Sequence, residues 1–147
     1  MVDKVLFDTS ALVAALLKDH PFHKAYLPWL EQALNQEIIG YISTHTLAEL
    51  YAVLTRLPRQ PKLQPKEVQT LLSNFEHFQK VILNADDYSQ VMQRLVQQNI
   101  IGGGIYDALI AQAALKAEVK TLLTANPKDF VRLGSDIASI VQTLSTL

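Results

Sequence analysis

The apolar positions alternate between two periods along the chain. Short unbroken runs of β-prone residues, spaced by stretches in which leucines and alanines recur every three or four positions, predict strands that alternate with helices. The first strand is Lys4–Phe7 (KVLF), followed at once by an Ala/Leu-rich helix from Ala11 to Leu17. Pro21 and the amphipathic run FHKAYLPWLEQAL predict a second helix to about Asn35, with Pro28 near a kink or break. The run EIIGYIS, 37–43, is a strand candidate. In HTLAELYAVLTRL, 45–57, Leu47, Leu50, Leu54 and Leu57 make a helical stripe that should pack on a sheet, with Thr44, His45 and Thr46 offering caps and Pro58 ending it.

The remainder continues the alternation. Residues 56–66 carry three prolines and four basic residues with no acid, which predicts an irregular basic connection. Helices are expected over Lys66–Gln79, Ala85–Asn99 and Ile105–Glu118, the last opened by Gly102, Gly103 and Gly104. Strands are expected over Lys80–Leu83, Lys120–Thr124 and Ile137–Gln142, and a short helix over Asn126–Arg132. Strands joined by helices imply right-handed crossovers, hence a three-layer α/β/α fold with a mostly parallel central sheet. Sites in such sheets lie beyond the carboxyl ends of the strands. That rule selects Asp8, just past KVLF, and the stretch Thr124–Asp129, just past KTLLT.

Composition narrows the chemistry. With 147 residues, 49% of them hydrophobic, the chain reads as one domain over 1–147 that buries a core unaided. Zero cysteine excludes disulfides, thiolate catalysis and sulfur-bound zinc, and the four histidines show no metal-ligand spacing. A net charge of −1 gives no overall attraction to nucleic acid. The longest apolar stretch near the N-terminus is too short to span a membrane, so a cytoplasmic location without membrane association is expected.

The acids carry the functional question. Asp8 fits a helix cap or a ligand, and Thr9 and Ser10 beside it are alternative caps, which leaves its carboxylate free. Glu49 lies opposite the leucine stripe of its helix, beside Ala48, Ala52 and Val53. Asp107 falls in a first turn where the helix dipole favours it, on a helix rich in alanine. Asn126 and Asp129 have the spacing of a capping box. Each has a structural explanation of its own. Gathered in one place, however, these carboxylates would raise one another's pKa values unless a cation neutralised them, and an all-oxygen site selects Mg²⁺ or Mn²⁺.

DTSAL (8–12), THTLAEL (44–50), YDALIAQAA (106–114) and LLTANPKDF (122–130) resemble, in order and spacing, the blocks of the PIN-domain family, specifically its small VapC-type toxins. The resemblance implies a metal-dependent endoribonuclease whose carboxylates hold Mg²⁺ or Mn²⁺ and whose nucleophile is metal-activated water. It carries Asp8, Glu49 and Asp107 over as first, second and third acids, and Thr124 as the hydroxyl that holds the pocket. Ser10 would assist. Where many members have an acid two residues after that threonine, this chain has Asn126, and Asp129 is the only acid nearby to serve as fourth ligand. RNA substrate, a cognate antitoxin and a homodimer are implied likewise. Two rivals stand beside this reading. Haloacid-dehalogenase-type phosphotransferases want a second Asp where this chain has Ser10, and a non-catalytic PIN-like module would act through protein or RNA contacts alone. The basic residues Arg56, Arg59, Lys62 and Lys66 are read as solvated linker, and Tyr26 and Trp29 as packing residues.

Overall fold

The structure, a computed structural model, describes residues 2–144; of the domain expected over 1–147, residue 1 and residues 145–147 lie outside that part. The chain runs β1 (Lys4–Phe7), α1 (Thr9–Leu16), α2 (His23–Leu34), β2 (Ile39–Ser43), α3 (Thr44–Arg56), α4 (Pro65–Leu72) and β3 (Gln79–Val81). It continues through α5 (Ala85–Gln98), α6 (Gly104–Lys116), β4 (Thr121–Leu123), α7 (Pro127–Val131), α8 (Ser135–Ala138) and β5 (Val141–Gln142). The five strands form one parallel sheet in the order β3-β2-β1-β4-β5.

β1 is central and buried on both faces, which is why its sequence is an apolar run rather than an alternation. Period two still sorts its side chains. Val5 and Phe7 enter a core with Leu12, Tyr26, Leu50, Leu54 and Phe78, whereas Leu6 enters the opposite core with Val91, Ile110, Leu122 and Phe130. Helices α1 to α4 contribute to the first core and α5 to α8 to the second, giving the expected three layers. Leu50 and Leu54 of the leucine stripe are fully buried, with Leu47 and Leu57 at its margin. Tyr26 is also fully buried, and Pro28 lies inside α2 without ending it.

Three expectations are corrected. The helix expected over 66–79 stops at Leu72 and passes through a 3₁₀ turn, Ser73–Phe75. Ser73 and Asn74 turn their side chains onto the carbonyls of Thr70 and Leu71, and the chain swings so that Phe75 and Phe78 bury edge to face at 5.1 Å. The strand expected over 137–142 is reduced to Val141–Gln142, because Asp136, gripped by Arg94, accepts the Ile137 N–H and holds residues 135–138 in a helical turn. The cap of α3 is Ser43, one residue before the expected Thr44, with its hydroxyl accepting the His45 N–H at 3.2 Å.

Candidate active site

The strand order reverses direction between β1 and β4, so the carboxyl ends of these two strands make the crevice in which doubly wound sheets bind ligands. Their register sets Phe7 against Leu123, and the Asp8 N–H donates to the Leu123 carbonyl at 3.1 Å. The next residue on β1 is thereby brought against the next residue on β4, Thr124. Both expected positions meet.

Asp8 is 4% exposed and is itself the cap of α1, accepting the Ala11 N–H at 2.9 Å through Oδ1. This corrects the expectation that Thr9 and Ser10 cap the helix and leave the carboxylate free. Thr9 instead donates to Glu49 Oε1. Ser10 donates to Asp8 Oδ1 at 2.7 Å and accepts the Ala125 N–H at 2.9 Å. Thr124, fully buried behind Asp8, donates to Oδ2 at 2.7 Å and accepts the Asn126 N–H at 2.9 Å. Tyr26 anchors the same turn by donating its hydroxyl to the Thr124 carbonyl at 3.0 Å. Three of the roughly four lone-pair directions of the carboxylate are thus used inside the protein. Burial outweighs those hydrogen bonds, and with a smaller push from Glu49 raises the Asp8 pKa to about 6.

α3 delivers Glu49 across the crevice with its side chain 32% exposed; His45, one turn earlier, places Nε2 3.9 Å from Oε2. The first turn of α6 delivers Asp107, whose pKa is raised to about 7 by burial, then by the charges of Asp129, Asp8 and Glu49, and is opposed by Arg132. Asp8, Glu49 and Asp107 line one cavity of about 390 Å³, together with Thr9, Ser10 and Asn126. Asp129 stands off this lining, yet its charge acts on Asp107 ahead of those of Asp8 and Glu49. The expected capping box is absent: the Asn126 side chain makes no cap bond, and only its carbonyl meets the Asp129 N–H. With φ −123° and ψ 67°, Asn126 leaves the helix end uncapped and lines the cavity.

Val13, His20, Phe22, Val53 and Ala125 also line the cavity, and none of them is marked by the sequence as a site residue. His20 sits in a short irregular connection and Phe22 stands at the N-cap of the helix whose amphipathic run it opens, so neither carries a signal for a site. Likewise Tyr106 stacks on His45 with ring centroids 5.2 Å apart, flanking the acids from outside. Arg59 of the basic connection pairs with Asp19 at 3.4 Å and takes no part in the cavity.

The donor set fits a hard divalent cation in kind: its charged groups are all carboxylates, and their mutual repulsion is what a cation would relieve. Among the described residues no three Asp, Glu or His side chains already surround a common point. Glu49 is partly exposed with one oxygen held by Thr9, and Asp107 is half-buried, whereas Asp8 is fixed by three hydrogen bonds.

The PIN domain family matches residues 5–135. The chain is 37% identical over 117 residues to Ribonuclease VapC27 of Mycobacterium tuberculosis, across 78% of this chain and 80% of that protein. It is 33% identical over 115 residues to Ribonuclease VapC40 of the same organism, across 78% and 81%. The fold is similar to that in the crystal structure of VapBC2 from Rickettsia felis bound to a promoter DNA fragment, with a TM-score of 0.69 and 24% identity over 97% of this chain and 99% of that one. DNA-bound VapBC from Salmonella typhimurium gives 0.65 and 21% over 97% and 98%.

Proposed function

Because the chain belongs to the PIN-domain family, we propose that it is a divalent-metal-dependent endoribonuclease and the toxin of a toxin–antitoxin pair. The observation that carries this reading is the convergence of Asp8, Glu49 and Asp107 in one cavity at the strand-order reversal, with Asp129 close enough to raise Asp107. The ribonuclease names of VapC27 and VapC40 support the substrate class.

Asp8, Glu49 and Asp107 would hold Mg²⁺ or Mn²⁺, and Asp129 is the fourth candidate because its charge reaches Asp107. Such an ion supplies a lowered water pKa and a countercharge for the phosphoryl oxygens. The chain's own residues do the positioning. Ser10 and Thr124 fix both oxygens of Asp8, Thr9 holds one oxygen of Glu49, and burial of Asp8 and Thr124 restricts water around that carboxylate. Asn126, uncharged and at the cavity rim, suits contact with RNA better than a share of the cation. An antitoxin that covers this cavity and a homodimer in solution complete the reading, in the cytoplasm; among the described residues no helix is long and apolar enough to cross a membrane.

The test is cleavage of single-stranded and structured RNA by the pure protein with Mn²⁺, with Mg²⁺ and with chelator, beside a folded Asp107→Asn variant. Metal-dependent cleavage lost in the variant is expected. Metal-linked stabilisation without any cleavage would instead favour a non-catalytic module, and cleavage that survives both chelator and substitution sinks the assignment.

A further inference from the structure

The carboxylates make up only part of the cavity lining, and the remaining residues have a chemistry of their own. Val13 from α1 and Val53 from α3 contribute apolar surface to it, and His20 and Phe22 contribute two rings 5.8 Å apart and tilted by 51°. The six-residue connection 17–22 is not loose. His20 donates its N–H to the Leu17 carbonyl at 3.0 Å, and its Nδ1 accepts the Phe22 N–H at 3.0 Å. An imidazole nitrogen that accepts a hydrogen bond carries no proton, so the neutral ring keeps its proton on Nε2. Burial holds the pKa of His20 below its ordinary value and keeps the ring neutral near pH 7. Asn126 lines the same cavity, and its amide, which makes no cap bond to α7, offers both a donor and an acceptor.

An aromatic and apolar wall, a neutral N–H donor and an amide, arranged in one space with the carboxylates, match the way single-stranded RNA is read. Unstacked bases lie on aromatic or apolar faces while side-chain amides and imidazoles address their edges. We propose that Val13, His20, Phe22 and Val53 form a subsite for the base of one nucleotide flanking the scissile phosphate, with His20 Nε2–H and the Asn126 amide reading its edge. This rests on the ribonuclease reading and adds to it a source of sequence preference within the chain. A base suits the space because these residues line the same cavity of about 390 Å³ as the acids that would hold the scissile phosphate.

The test uses a single-stranded RNA cleaved by the wild-type protein, remade with one abasic nucleotide at each position around the cleavage point. Wild type should lose roughly tenfold or more in kcat/KM at one flanking position, the range expected for loss of one stacked base. Phe22→Ala and His20→Ala should suffer a similar loss on intact RNA and no further loss on that abasic RNA. Phe22→Leu, which keeps the apolar packing without the aromatic face, should behave like Phe22→Ala if folding is not the cause. Additive losses, or no sensitive position at all, overturn the proposal. The same oligonucleotides bound in chelator, where no cleavage occurs, separate this failure from that of the nuclease reading. If the wild type cleaves nothing, base-dependent binding weakened by Phe22→Ala still supports the subsite, and base-indifferent binding, or none, overturns it. Variants that discriminate bases as the wild type does but lose a protein partner assign the wall to that partner and overturn it too.

Discussion

Asp8 performs two tasks with one carboxylate. Oδ1 satisfies the Ala11 N–H at the start of α1, and the charge that remains faces the cavity with Ser10 and Thr124 fixing its orientation. The tasks separate by substitution. Asn caps a helix about as well as Asp, so Asp8→Asn should leave the chelated protein folded and at least as stable as wild type at pH 8, while RNA cleavage falls on the order of 100-fold or more, as for other lost electrostatic contacts to a transition state. Asp8→Ala loses the cap as well and should cost an additional ~1–2 kcal/mol in urea unfolding. Full cleavage by Asp8→Asn ends the assignment of this charge to chemistry. Thr124→Val probes the support behind it. Removing that hydroxyl leaves Asp8 Oδ2 and the Asn126 N–H unsatisfied at once, for about 1–3 kcal/mol of stability, with cleavage reduced about 10–100-fold and restored by Thr124→Ser. Equal activity in the valine and serine variants would assign Thr124 to packing alone.

At the scale of elements, the acids are placed by strands and helices that meet through a few close contacts. β2 leads directly into the Ser43 cap and so into the helix bearing Glu49, and it packs through Gly40 beneath the ring of Phe78. A Cβ at Gly40 would lie 2.6 Å from that ring, which is itself wedged against Phe7 and Phe75. Gly40→Ala should therefore destabilise the protein by ~1–3 kcal/mol in urea unfolding, the usual cost of overpacking, and a neutral effect would mean that Phe78 has room to withdraw. Much of this scaffold was legible in the sequence, because the leucine stripe of α3 carries a helical period, while β1 and the alanine-rich α6 are apolar stretches of strand and helix composition that bury almost throughout. Reading failed where several local solutions were equally good. Asp8, Thr9 and Ser10 are all acceptable caps, and only the exit direction of β1 decides among them. Phe75 and Phe78 are three residues apart as in a helix, yet they bury as a pair at a turn. His20 and Phe22 gain meaning only when α3 brings Glu49 and Val53 into the same cavity lining, a meeting of distant segments that no local pattern encodes.

For the molecule as a whole, the crowded carboxylates make stability depend on pH in a direction opposite to that of ordinary ion pairs. Asp8 and Asp107 have folded-state pKa values raised from 3.8 to about 6 and about 7, so between pH 4 and 7 the folded protein binds more protons than the unfolded chain. Their contribution is then lost as pH rises through that window, on the order of 3 kcal/mol for the buried Asp8 alone. Asp87 and Asp136 act in the other sense but elsewhere. Hydrogen bonds from Lys116 and Arg94 hold their pKa values low, so their stabilisation is present above pH 4 and fades only below it. His20, lowered by burial, opposes the trend around pH 6, because the unfolded chain takes up its proton more readily. The decisive quantity is therefore the difference between wild type and Asp107→Asn, in which groups not coupled to Asp107, such as Asp87 and Asp136, cancel. In chelator, the variant should gain in Tm relative to wild type as pH is raised from 5 to 8. Divalent cation should reverse the order, since a ligand bound at 100 times its Kd adds about 2.7 kcal/mol to the protein that retains the site and little to the one that lacks it. A Tm difference that stays flat with pH in chelator would show that Asp107 ionises as freely as in the unfolded chain. Mn²⁺ stabilisation that is equal in both proteins would place the cation away from this cavity.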